Sequence, residues 1–91
     1  TNMETSTLKL LTIIADEALT KVIEETLLEL GATGYTISHV EGMGRSGPRN
    51  STWEGENIKF EVITTDEVLE KVLHYIKQNL FERYSIIVYY S

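Results

Sequence analysis

Ninety-one residues, 42% apolar and 24% charged, make one globular domain with a modest core, and no apolar run reaches the roughly 18 residues of a membrane span. A net charge of −6 opposes general binding to nucleic acid or to an anionic membrane, where a basic stripe is expected. The absence of cysteine excludes a disulfide scaffold, a thiolate zinc site and a cysteine nucleophile.

Residues 1–7 are polar and expected to fray, no signal-peptide pattern opens the chain, and the lack of cysteine fits a cytoplasmic location. Residues 8–14 are short and rich in branched side chains, the signature of a strand. Asp16 then caps a helix expected to run to about Leu30, with Leu19, Val22, Ile23, Leu27 and Leu30 on one apolar stripe. Gly31 is placed to end that helix in a left-handed conformation. Residues 35–41 alternate, Tyr35, Ile37 and His39 against Thr36, Ser38 and Val40, as a second strand.

A loop is expected over residues 42–56. It holds four of the six glycines, the one proline, the one tryptophan and two of the three arginines. Such a concentration in a small acidic domain presents that place to something, since long loops inside compact domains are usually functional or disordered. From Gly42 to Trp53 the chain carries Arg45 and Arg49 and no acid. Gly42-x-Gly44-Arg45 admits two readings: a backbone nest whose N–H groups converge on an anion beside an arginine that forks onto it, or a flexible turn with solvated arginines. Pro48 and Trp53 are candidates for contact with a partner, tryptophan being frequent at interaction hot spots, and packing of Trp53 on the domain's own edge is the alternative.

Residues 57–63 form a third strand, with Ile58, Phe60 and Val62 on one side. Thr64-Thr65-Asp66-Glu67 fits a capping box with Thr64 as the cap. The helix it opens runs to about Leu80 and turns Val68, Leu69, Val72, Tyr75, Ile76 and Leu80 inward. After a turn at 81–84, residues 85–90 give a fourth strand. The order βαββαβ predicts an α+β, ferredoxin-like domain over 8–91, a four-stranded antiparallel sheet with both helices on one face. The first and fourth strands are apolar on both faces. The uncovered face, with Leu11 and Ile13 or their neighbours and with Ile87 and Tyr89, is therefore expected to meet a partner, most simply further copies of the chain.

No catalytic residue is expected: no nucleophile–base set and no working pair of carboxylates can be assembled. His39 and His74 fall on different elements, so no metal site is expected either. A small phosphate-binding enzyme of the acylphosphatase type shares the topology. It needs an anion loop after the first strand, where this chain has only Ala15-Asp16.

Gly31-Ala32-Thr33-Gly34-Tyr35-Thr36-Ile37-Ser38-His39-Val40-Glu41-Gly42-Met43-Gly44-Arg45 resembles the second strand and loop opening of the PII signal-transduction superfamily. Asn57-Ile58-Lys59-Phe60-Glu61-Val62-Ile63-Thr64 and residues 81–84 look more like its PII-like branch associated with the bicarbonate transporter, the SbtB type. The resemblance implies a ferredoxin-like homotrimer that binds an adenine nucleotide between subunits. It also implies a T-loop, at about 42–56 here, that docks on a target protein, with a membrane transporter among the candidates. By matching position, Gly42, Gly44 and Arg45 would meet phosphate with Arg49 nearby, and Thr36 and Ile37 would line the nucleotide cleft.

The sequence departs from the family pattern at Asn79-Leu80-Phe81-Glu82-Arg83-Tyr84-Ser85, which lacks the second glycine-rich loop. A triphosphate loses grip there, so AMP, ADP or cyclic AMP is expected ahead of ATP. Met43 stands where the SbtB type often has lysine, Ile86 where it has glycine, and Ser46 where PII proper has glutamine. With Ser91 the last residue, redox switching through a cysteine-bearing tail is not expected.

Overall fold

The computed structural model of the chain describes residues 8–46 and 51–91, and for 42–46 and 51–55 the backbone alone. Four strands, β1 (Lys9–Asp16), β2 (Thr36–Ser46), β3 (Ser51–Thr64) and β4 (Ile87–Tyr90), form one antiparallel sheet in the order β2-β3-β1-β4. Helices α1 (Thr20–Glu29) and α2 (Asp66–Asn79) make the two crossovers. The expected α+β, ferredoxin-like order is the observed one.

The register of β1 decides which face is which. Leu11, Ile13 and Ala15 lie opposite Val62, Phe60 and Ile58, and all six are buried in one cluster with Leu19, Ile23 and Leu27 and with Leu69, Val72 and Ile76. Both helices therefore cover the same face. The uncovered face carries Leu10, Thr12 and Ile14 of β1 and, in register with the last two, Tyr89 and Ile87 of β4. Leu11 and Ile13 thus belong to the core and not to the open face. A strand apolar on both sides cannot reveal its orientation by alternation, and only its pairing fixes it. Exposed apolar groups remain on the open face: Ile63 at 62%, Tyr89 at 52% and Leu10 at 36%.

Asp16 ends β1 and accepts the Ala18 N–H at 2.8 Å, capping a 3-10 turn at Glu17–Leu19 that tightens the start of the expected helix. The strand passes straight into this turn, so no anion-cradling loop of the acylphosphatase kind exists there. Gly31, at φ 104°, closes α1 in the left-handed conformation expected of it. The cap of α2 is Thr65, whose hydroxyl accepts the Val68 N–H at 3.4 Å, and not Thr64. Thr64 is buried and paired with Lys9 in the sheet, which removes it from the competition. Asp66 and Glu67 in the first turn and Lys77 in the last agree with the helix dipole. β4 starts at Ile87, two residues later than expected, because the Arg83 and Tyr84 N–H groups turn back to the Leu80 carbonyl.

The largest revision concerns residues 42–56. Most of this stretch is a continuation of the sheet, paired from Glu41↔Glu56 through Gly42↔Gly55 and Gly44↔Trp53 to Ser46↔Ser51. Backbone pairing needs no particular side chains, so glycine-rich composition did not prevent it. Pro48 and Arg49, like residues 1–7, lie outside the described residues. No helix among the described residues is long and apolar enough to cross a membrane.

Candidate functional site

The connection from α1 to β2 builds one candidate site. After Gly31, Ala32 is buried and its N–H donates to the Leu27 carbonyl at 2.9 Å. Thr33 and Gly34 are exposed, and the chain then anchors again at Tyr35. The Tyr35 ring lies 5.6 Å from that of Phe60, and its hydroxyl donates to Glu24 Oε2 at 3.1 Å. Partial burial, followed by the hydrogen bond and charge of Glu24, raises the phenol above its ordinary value.

Thr33, Gly34, Tyr35 and Thr36 join Leu10, Glu61 and Ile63 to line an open groove of about 440 Å³. Small-molecule sites span roughly 300–1,000 Å³ and combine apolar walls with a few placed polar groups. Leu10 and Ile63 supply the apolar wall here. The Thr33 and Thr36 hydroxyls can donate or accept, and the Glu61 carboxylate accepts. Thr36 and Glu61 are direct cross-strand partners. Such a set suits a flat ring bearing N–H or O–H donors.

Of the residues singled out in the sequence, Thr36 is in this groove. Ile37, the next residue on the strand, packs its side chain against the core on the opposite face. Only its backbone is available to a ligand on the open face. Glu61, Ile63, Leu10, Thr33, Gly34 and Tyr35 were not anticipated. The signal that could have found the last three is the Gly31-x-x-Gly34 spacing just before a strand.

The second candidate lies at the far end of β2. Gly42, Gly44 and Arg45 sit in ladder pairing with Gly55, Trp53 and Thr52. In a strand, successive N–H groups point to opposite sides, so the convergence expected of a nest is absent from this conformation. As the edge strand, β2 leaves its outward-pointing N–H groups outside the sheet pairing. From residue 36 to residue 45 the strand covers about 30 Å. One copy of the chain therefore cannot bring Thr36 and Arg45 to the same small ligand.

A family model described as Nitrogen regulatory protein P-II matches residues 8–91. The chain belongs to the P-II family. Among solved structures, a PII-like signalling protein from Thermus thermophilus is 39% identical, covering 98% of this chain and 89% of its own, with a TM-score of 0.80. CPII from Thiomonas intermedia, a nitrogen regulatory PII-like protein solved with ADP, AMP and bicarbonate, is 28% identical over 91% of this chain and 88% of its own, with a TM-score of 0.73. GlnK of B. subtilis, solved with ATP, is 22% identical over 97% of this chain and 85% of its own, with a TM-score of 0.67, a likeness that shows the fold alone. P-II proteins are signalling regulators that form homotrimers and bind nucleotides and target proteins, without a catalytic role.

Proposed function

We propose that this P-II protein is a non-enzymatic sensor of adenine nucleotides, with its site shared between subunits of a homotrimer. The separation of Thr36 from Arg45 along one strand carries this reading. A nucleotide whose base sits against Thr36 and Glu61 of one copy reaches a phosphate-binding arginine only if Arg45 comes from another. The exposed apolar groups of the uncovered face, Leu10, Ile63 and Tyr89, support stacking of further copies there.

The base would rest against Leu10 and Ile63, with Thr36 and Glu61 fixing its polar edge. Gly42, Gly44, Arg45 and Arg49 would take the phosphate, through outward N–H groups of the edge strand and through charge-assisted contacts. ADP or AMP is preferred to ATP in this reading, as the missing glycine-rich loop at 79–85 suggests, and CPII was solved with both. Cyclic AMP is a further candidate. Residues 42–56 act as the T-loop, with Pro48 and Trp53 meeting the target. A ligand that favours one arrangement of this hairpin shifts its fit to the target by no more than that preference. A bicarbonate transporter of the SbtB association, or another component of carbon metabolism, is the proposed target, and CPII's bicarbonate supports a carbon-linked signal. The protein would then work in the cytoplasm and reach a membrane through its partner.

Titration calorimetry with AMP, ADP, ATP and cyclic AMP, read beside mass in solution, tests the proposal. Arg45→Ala is expected to weaken binding at least tenfold, the loss of a charge-assisted contact of about 1.5–3 kcal/mol. A monomer in solution, or equal affinity of variant and parent, would sink the shared-site reading.

A further inference from the structure

The groove has an unusual rim. Three of its seven lining residues, 33–35, belong to the connection between α1 and β2, and a fourth, Thr36, is the first residue of β2. Thr33 and Gly34 are exposed, and a methyl group placed on Gly34 would meet no atom within 4 Å. Among the described residues nothing packs on Gly34, so the shape of this stretch depends on how its two ends are held.

The upstream end is held by Ala32, buried and bonded through its N–H to the Leu27 carbonyl at 2.9 Å. The downstream end is held by Tyr35. Its ring leans on Phe60, a core residue with 0% exposure, at a centroid distance of 5.6 Å and an interplanar angle of 55°. Its hydroxyl spans to the middle of α1 and donates to Glu24 Oε2 at 3.1 Å. Glu24 itself does not line the groove. The rim is thus an arch with both feet tied to α1, and the second tie is a single phenol–carboxylate hydrogen bond at 3.1 Å.

We propose that Tyr35 is a positioning residue for the groove, and that its hydrogen bond to Glu24 and its contact with Phe60 hold residues 33–36 in the shape that receives a ligand. This rests on the reading of the groove as the nucleotide-base site. The binding consequence is one of pre-organisation: apparent affinity falls by the fraction of molecules whose rim is correctly shaped. If loss of the phenol–carboxylate tie leaves a tenth of the molecules with an ordered rim, affinity drops about tenfold.

The test uses Tyr35→Phe, Glu24→Ala, Glu24→Gln and the double variant Tyr35→Phe/Glu24→Ala. Tyr35→Phe keeps the ring on Phe60 and so spares the core. Amide hydrogen exchange is measured on the free protein, and ADP and AMP affinities by calorimetry. Tyr35→Phe and Glu24→Ala are each expected to speed exchange at 33–36 about tenfold, with β1 and β3 amides unchanged, and to weaken ADP or AMP three- to tenfold. The double variant is expected to lose no more than either single one. Glu24→Gln, whose amide oxygen still accepts from the phenol, is expected to stay within about twofold of the parent. Unchanged exchange at the rim in Tyr35→Phe overturns the proposal. So does unaltered affinity despite a loosened rim, or acceleration spread equally over the core. A parent protein that binds neither nucleotide removes the positioning claim together with the nucleotide reading; a binding parent and an equally tight Tyr35→Phe remove the positioning claim alone.

Discussion

The β2–β3 ribbon has two ends made of the same kind of backbone and held in different ways. Near Thr36, β3 is paired on both sides: with β2, and with β1 from Asp16↔Asn57 to Lys9↔Thr64. The helices cover that end, and Phe60 sits in the core with no exposure. Beyond Asn57 the third strand is gone, yet β2 and β3 continue together to Ser46↔Ser51. A lone two-stranded hairpin is marginal in water. The point of departure is also the weakest: Glu41 faces Glu56, a like-charged pair, and Gly42 faces Gly55, where no side chains can support each other. Support from a third strand and from the helices is concentrated at one end, and the other is described by β2–β3 pairing without β1.

The strongest way to break the contrast is to hollow out the supported end. Phe60→Ala is expected to cost about 3–5 kcal/mol, through lost burial, the cavity left, and removal of the Tyr35 ring's partner. Urea unfolding should show a lower midpoint with an unchanged slope. A loss below about 1 kcal/mol would mean that the core closes over the site and that this end is no more constrained than the other.

At the far end the same kind of truncation should touch binding and spare folding. Arg45→Ala, expected to weaken adenine nucleotides by at least tenfold, should leave unfolding within about 0.5 kcal/mol of the parent, as for an ordinary surface change. If both quantities fell together, residues 42–46 would be part of the cooperative fold and not a site hung from it.

A smaller change sharpens the boundary itself. Glu56→Lys turns the Glu41↔Glu56 repulsion into an opposite-charge pair, worth about 0.2–1 kcal/mol across strands. Amides from 42 to 55 should exchange more slowly while those of β1 stay as they are. No slowing would place the weak point at the Gly42↔Gly55 rung instead.

How much of this was legible in the sequence follows from the same physics. The element order and most of both helix stripes could be read because side-chain periodicity reports burial directly, although Val22, expected on the inner stripe of α1, is exposed. Which face of β1 is open could not, since Leu10, Ile14, Leu11 and Ile13 are all apolar and only cross-strand register separates them. The capping threonine was placed one position too early, at Thr64 in place of Thr65, and it was β1–β3 pairing that withdrew Thr64. The glycine-rich segment gave away its importance but not its form, because composition warns of freedom while backbone pairing asks only for a partner strand. Arg45 stood out as a basic residue in an acidic chain. The groove was hidden, since it is assembled from residues on three strands and a connection, and Glu24 lies 11 residues from the tyrosine it holds.

The smallest expected effect separates the two ends by pH. The Tyr35 phenol is raised above its ordinary value of 10.0, by partial burial and then by Glu24, so the folded protein keeps that proton where the unfolded chain has released it. A folded value above the unfolded one contributes stability that is complete below about pH 10 and is lost as pH rises through the folded value. Tyr35→Phe has no proton to lose there. The difference in unfolding free energy between parent and Tyr35→Phe should therefore be flat through neutral pH and shrink only from about pH 10 upward, with the shrinkage abolished in a Glu24→Ala background if Glu24 dominates and reduced if burial does. Burial is the larger cause, so reduction is the expected result. A difference that grew with alkaline pH would mean the phenolate is favoured in the folded state, and that Glu24 is not its neighbour.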